Sequence, residues 1–152
     1  MANTYFQLYI HIVFAVSQRD AMILEPWRDD LYRYIGGAVR NNECELVAIG
    51  GMADHIHMLV QMPPKISISA FVQSIKIQSS RWVNENHFCK CRFCWQEGFG
   101  AFSASRSHVP QIKNYIHNQK THHQQKAFLE EYLTMLDGYG VEYSKDYIFK
   151  EI

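Results

Sequence analysis

The run Asp54-His-Ile-His-Met-Leu-Val-Gln61 places His55 and His57 either side of one apolar residue. In an extended strand, residues two apart leave the same face. Both imidazoles then project together, while Ile56 and Met58 point the other way. Two imidazoles on a rigid strand are half of a divalent-metal site, because neutral histidine is the commonest metal ligand. A pair of histidines on a solvated strand face reads the same way, and so short a motif does not separate the two. A second cluster is Cys89-Lys-Cys-Arg-Phe-Cys94, with His87 as the nearest further ligand. Its CxCxxC spacing lacks a second CxxC pair, so reduced thiols are the better reading than a structural zinc. A third candidate group is Tyr115 and Gln119, which are four apart and share a face if that segment is helical.

The chain's bulk properties limit what these groups can serve. Its 152 residues fit one domain spanning 1–152, and 47% hydrophobic with 14% aromatic content excludes a disordered chain. No apolar run approaches the roughly 18 residues that suggest a membrane span. Met1-Ala-Asn-Thr4 lacks the basic and apolar regions of a secretory signal, so a cytoplasmic location is expected. Net charge is zero but unevenly spread. Residues 1–60 carry four basic and seven acidic side chains, residues 61–126 carry nine and two, and residues 127–152 carry two and six. A block of net +7 between acidic flanks suits a polyanion. Within it, Lys76, Arg81, Arg92, Arg106 and Lys113 are the candidate contacts to such a partner. Phe93, Trp95 and Phe99 are interleaved with the basic residues, and serve equally for stacking unpaired bases or for core packing.

The elements that must position these groups follow from periodicity. Thr4 to Val16 reads as a long strand carrying His11, a residue that suits either a satisfied core position or the site itself. Pro26 opens a helix with apolar positions Trp27, Leu31, Tyr34, Ile35, Ala38 and Val39. Gly36-Gly37 within it suggests close packing on a sheet. Cys44 to Ile49 and His55 to Met62 form a hairpin that ends at Pro63-Pro64. Ser67 or Ser69 caps the next helix, whose buried face is Ile68, Phe71, Val72, Ile75, Ser79, Trp82 and Val83. Gly98 to Ser105 is a short strand or loop. Val109 to about Gln125 is a helix with Ser107 as candidate cap; beside its apolar stripe run His108, Gln111, Tyr115, Gln119 and His122. Phe128 to Leu136 is a further helix, and an acidic, aromatic tail follows. This order matches the split βαβ pattern, an α+β antiparallel sheet with helices on one face.

These residues resemble the single-tyrosine HUH transposases of the insertion-sequence 200/605 family. The resemblance covers nearly the whole chain. It is carried by Tyr5 to Phe14, Met52 to Val60 (MADHIHMLV), Pro63-Pro64 with Ile68-Ser69, Lys76 to Trp82 (KIQSSRW), Trp95 to Ser103 (WQEGFGAFS) and Tyr115-Ile-His-Asn-Gln119. It implies a ferredoxin-like core plus a C-terminal catalytic helix. His55 and His57 match the metal-binding pair, Gln119 the third ligand, and Tyr115 the nucleophile that forms a 5′-phosphotyrosine link to single-stranded DNA. Asp54 belongs to the motif without being a ligand.

The implied cofactor is Mg²⁺ or Mn²⁺, with substrate phosphate and water completing a site that has no carboxylate ligand. The implied partners are hairpin-bearing single-stranded DNA at insertion-sequence ends and a second copy of the chain, whose site the tyrosine helix can complete in trans. The cysteine cluster departs from the family pattern. Tyr132, Tyr139, Tyr143 and Tyr147 lie in an acidic region that repels DNA, and read as tail packing. A histidine-triad hydrolase loses its third histidine at Leu59. A non-catalytic nucleic-acid module has no use for the histidine pair. A domesticated relative acting on genomic hairpin repeats has the same residues.

Overall fold

The computed structural model describes residues 3–123 and 126–152, the side chain of His122 apart. Four strands form one sheet: β1 (Tyr9–Ala15), β2 (Glu45–Gly51), β3 (His55–Gln61) and β4 (Gly100–Ala104), in the order β2-β3-β1-β4 with every pair antiparallel. Between them run α1 (Glu25–Asn41) and α2 (Ile68–Glu85). After them come α3 (Val109–His117), α4 (Gln119–His123) and α5 (Phe128–Gly138). This is the α+β split βαβ architecture expected from the sequence.

β1 is shorter than the aromatic-rich stretch from Thr4 suggests, and Tyr5 and Phe6 lie exposed. The cause is in its partner. The last rung is Met62 N–H donating to the Leu8 carbonyl at 2.9 Å. Pro63 and Pro64 follow, and neither can donate to a ladder. The β2–β3 hairpin is tight: a Cβ at Gly51 would lie 2.2 Å from the His55 carbonyl oxygen.

Alternation along the strands sorts their side chains onto two faces. Ile12, Phe14, Ile56, Met58 and Val60 form the core with α1 and α2, through Leu31, Ile35, Phe71 and Ile75. Ser67, rather than Ser69, caps α2, its hydroxyl accepting from the Ala70 N–H at 3.1 Å. Gly36 is not forced by crowding, since a Cβ there would meet Leu46 at an ordinary 3.6 Å. Phe93 is fully buried and Trp95 stands edge-on to Phe14 with ring centroids 4.7 Å apart, so both belong to this core rather than to a base-stacking surface.

On the opposite face α3 packs against β2 and β3, with Ile116 over Ala48 and Leu59. Its approach is close enough that a Cβ on Gly50 would stand 2.3 Å from the Ile116 carbonyl oxygen. The expected helix from Val109 is not continuous. Asn118 (φ −99°, ψ 22°) separates α3 from α4, and residues 124–125, the end of that expected helix, lie outside the described residues. Ser107 does not cap α3; a 3-10 turn, Arg106–His108, leads into it instead. The tail folds back, with Phe149 buried against Phe128 and Tyr132. No described helix is long and apolar enough to cross a membrane.

Candidate active site

His55 and His57 lie on β3 and are both fully buried on the face covered by α3, α4 and α5. Each has an Nδ1 partner. The His55 Nδ1–H donates to Asp54 Oδ1 at 2.7 Å, and His57 Nδ1 is 2.9 Å from His11 Nε2. Such partners fix the tautomer and aim the other ring nitrogen, as they do for metal-bound histidines. Phe128 stacks on the His55 ring with centroids 4.0 Å apart, which fixes its plane. His11 thus faces the site, as a support for His57.

Both Nε2 atoms point at groups from the C-terminal third of the chain. Gln119 Oε1 is 2.9 Å from His55 Nε2 and 2.9 Å from His123 Nε2. Glu131 Oε1 is 3.0 Å from His57 Nε2, 3.2 Å from His123 Nε2 and 3.6 Å from His55 Nε2. The His123 Nδ1–H donates to the Lys126 carbonyl at 2.6 Å. Ligand atoms of His55, His57, His123 and Glu131 all lie within 4.8 Å of one another, the one such group among the described residues. Four chemically suitable donors at these separations fit a single cation, so the residues present suit the divalent ion implied by the sequence.

Tyr115 stands beside its own chain's His57, with ring centroids 5.6 Å apart, and its hydroxyl donates to Glu131 Oε2. Gln119 Nε2 donates to the same oxygen at 3.2 Å. Glu131 therefore turns one oxygen to the imidazoles and the other to the phenol. The electrostatics follow. Burial holds His57 near pKa 4, and burial with the His57 neighbour holds His11 near 3, so both are neutral at pH 7. Burial alone would raise Glu131, but hydrogen bonds from His123, His57 and Tyr115 outweigh it and keep the carboxylate ionised. Burial and that carboxylate push the Tyr115 phenol above its usual 10.

The sequence-predicted residues thus divide. His55, His57, Tyr115 and Gln119 are brought together. Asp54 orients His55 and is not turned toward the other donors. The site contains a carboxylate, Glu131, and a third imidazole, His123, that the sequence reading did not select; His122, named there, has its side chain outside the described residues.

The five candidate DNA contacts do not form one surface. Lys76 donates to the carbonyls of Gln96 at 2.8 Å and Gly98 at 2.6 Å and lies over the Phe14 ring, so it braces the loop before β4. Burial lowers its pKa to about 8. Arg81 and Arg92 are exposed and line, with Lys90, a groove of about 1080 Å³ between α2 and the cysteine loop. Arg106 and Lys113 lie instead on the turn before α3 and on α3. Cys89, Cys91 and Cys94 are free thiols whose sulfurs are not gathered into a ligand group.

Residues 4–119 match the family model described as "Transposase IS200 like". The chain belongs to the IS200-like transposase family. It is similar to the transposase for insertion sequence element IS200 of Salmonella typhimurium, with 28% identity over 129 residues, 78% of this chain and 81% of that one. It is also similar to the ISDra2 transposase TnpA of Deinococcus radiodurans, with 24% identity over 119 residues, 75% of this chain and 85% of that one. Among solved structures, a Deinococcus radiodurans protein described as a transposase aligns with TM-score 0.61 and 25% identity, over 78% of this chain and 95% of that one. A REP-associated tyrosine transposase bound to a REP hairpin shares the fold, with TM-score 0.60 and 17% identity, over 81% of this chain and 73% of that one. This IS200-like transposase has an α+β fold that brings its histidine pair and Tyr115 together in one chain.

Proposed function

We propose that this transposase cuts and rejoins single-stranded DNA through a 5′-phosphotyrosine formed by Tyr115, at a divalent ion (Mg²⁺ or Mn²⁺) held by His55, His57 and Gln119. The observation that carries the reading is the meeting of Tyr115 with the histidine pair, its hydroxyl on the carboxylate that also faces their Nε2 atoms. In the step, the phenol oxygen gives up its proton across its hydrogen bond to Glu131 as it bonds to phosphorus, and the bond from phosphorus to the 3′-oxygen breaks. The 3′-oxygen leaves as a hydroxyl, taking up a proton, and the 5′-phosphate stays on the tyrosine. Reversal by a 3′-hydroxyl rejoins the strand with no external energy source. A cation held by these residues would supply polarisation of the phosphoryl oxygens and stabilisation of the charge that develops on them. Gln119 and Glu131 hold the phenol and the imidazoles in register, and closure by α3 and α5 keeps the groups in low dielectric, where such charges matter most.

The proposed substrate is an element end bearing a hairpin, in keeping with the hairpin seen on a neighbour of the same fold. A genomic hairpin repeat is the second substrate of the same type. A homodimer is proposed as the working unit; Tyr115 beside its own chain's His57 supports action in cis, with exchange of helices between copies as the alternative arrangement.

The test is incubation of purified protein and Mn²⁺ with a 5′- or 3′-labelled single-stranded hairpin, followed by mass spectrometry of the adduct peptide. Wild type is expected to carry the nucleotide on Tyr115, and Tyr115→Phe to lose the adduct by roughly a thousandfold or more while still binding DNA. An adduct persisting in Tyr115→Phe would move the nucleophile elsewhere.

A further inference from the structure

The donor count at the histidine pair exceeds what two imidazoles and an amide supply. His55 commits its Nδ1 to Asp54, which aims its Nε2 at the rest of the group. That nitrogen faces Gln119 Oε1 at 2.9 Å and Glu131 Oε1 at 3.6 Å. His123 repeats the arrangement. Its Nδ1–H is committed to the Lys126 carbonyl, and its Nε2 faces the same two oxygens at 2.9 Å and 3.2 Å. The orientation of the Gln119 amide is set by its nitrogen, which donates to Glu131 Oε2. Ring nitrogens of His55, His57 and His123, an amide oxygen and a carboxylate oxygen thus converge on one point, with the ligand atoms of the three histidines and Glu131 all within 4.8 Å of one another. One cation placed there is within reach of all of them. The Glu131 edges suit one ion: with metal–nitrogen and metal–oxygen bonds of about 2.0–2.2 Å, neighbouring donors stand roughly 3–3.6 Å apart, and Glu131 Oε1 keeps 3.0, 3.2 and 3.6 Å from the three nitrogens.

We infer that His123 and Glu131 are ligands of the same cation as His55, His57 and Gln119, and that this nitrogen-rich centre selects a first-row transition ion such as Mn²⁺, Co²⁺ or Zn²⁺ over Mg²⁺. The inference rests on the metal site proposed above and deepens it. Imidazole suits borderline transition ions, whereas Mg²⁺ prefers an octahedron of oxygens that retains several waters. Three imidazoles leave few positions for such waters. Asp54, His11 and the Lys126 carbonyl then act as the outer supports of the three rings, one for each Nδ1. The arrangement also links the nucleophile to the ion, because Glu131 turns one oxygen to the imidazoles and the other to the Tyr115 hydroxyl.

The experiment is metal titration of the full chain without DNA, using Mn²⁺, Zn²⁺ and Mg²⁺ salts separately in a calorimeter, with His57→Ala, His123→Ala and Glu131→Gln beside wild type. One transition ion per chain is expected, bound on the order of 100-fold tighter than Mg²⁺. His57→Ala should lose it, and His123→Ala and Glu131→Gln should each weaken it by about 10–100-fold, at least the effect of losing an outer support. Wild-type binding in His123→Ala and Glu131→Gln, with binding lost in His57→Ala, would overturn this ligand assignment and leave the histidine-pair site standing. Binding unaffected by His57→Ala, or no binding to wild type, would sink both. Because a ligand variant can also misfold, pulsed electron paramagnetic resonance of Mn²⁺ on the unmutated protein gives a separate reading. Three coordinated imidazole nitrogens support the assignment, and two overturn it. Equal affinity for Mg²⁺ and Mn²⁺ would overturn the selectivity.

Discussion

The two faces of the sheet are made by alternate residues of the same strands, yet they do different work. Toward α1 and α2, Ile12, Phe14, Ile56, Met58 and Val60 are fully buried among apolar side chains. Toward α3, α4 and α5, His11, His55 and His57 are just as buried, but each reaches a polar partner. Burial of apolar surface stabilises without direction, whereas burial of a polar group is tolerated only where its partner is placed for it. The first face therefore supplies the stability that the second uses to hold its polar groups in fixed geometry.

Adjacent residues on β3 give the widest separation of these two roles. Met58→Ala removes a fully buried side chain from the α1–α2 face. It should cost about 2–5 kcal/mol in denaturant unfolding while leaving the metal affinity of the folded protein nearly unchanged. His57→Ala should instead abolish strand cleavage and cut metal affinity by at least about 100-fold. If both variants lost stability and metal affinity in parallel, the two faces would be one cooperative unit and the division drawn above would fail.

Much of the first face could be read from the sequence, because it depends on periodicity alone. The apolar stripe of α2 and the alternation of β3 specify which side chains meet the core. The exceptions depend on partners distant in sequence. Tyr5 and Phe6 have strand-like character, but the prolines after Met62 end the ladder that would have paired them. Lys76 reads as an exposed cation, and is drawn in by the carbonyls of Gln96 and Gly98, twenty or more positions on.

The second face was half legible. A period of two on β3 places His55 and His57 together, and a helical turn relates Tyr115 to Gln119. His123 is four after Gln119 and shares its face, but the series His108, Gln111, Tyr115, Gln119 continues equally well to His122, three after Gln119, so helical spacing alone does not choose between the two histidines. Glu131 enters the sequence reading only as one of the six acidic residues of 127–152. The signal that could have found it is its spacing: it sits three after Phe128 and beside Tyr132 on the buried stripe of α5, where a carboxylate without a partner would be costly.

The faces should also part with pH. His57 and His11 have folded pKa values near 4 and 3, against about 6.5 for an unfolded histidine. Above pH 6.5 both are neutral folded or unfolded, and they contribute no pH dependence. As pH falls below 6.5 the unfolded chain binds protons that the folded chain refuses, so stability falls until the folded values are reached. The loss is on the order of 3 kcal/mol for each. His123 works against this, because the Glu131 carboxylate outweighs burial and raises its pKa, so the folded state takes up that proton first. The metal-free protein should therefore melt lower at pH 4.5 than at pH 7.5, and His11→Phe should flatten the slope. A pH slope that His11→Phe leaves unchanged would mean that the His11 ring is not held neutral in the folded chain.

A smaller effect distinguishes the surfaces outside the site. Arg81 and Arg92 line the groove beside α2, and Arg106 lies on the turn before α3, on the other side of the sheet. If DNA phosphates run along the α2 groove, Arg92→Ala should lower affinity a fewfold and reduce the slope of log affinity against log salt by about 1. Arg106→Ala gives the matching measurement for the α3 side. A slope changed by Arg106→Ala alone would place the backbone path on the catalytic face and leave the α2 groove out of it. Changes from both would require the strand to pass around the edge of the sheet. In that case β4, the edge strand beside β1, lies nearest the path, since the chain runs from it directly into the turn that carries Arg106.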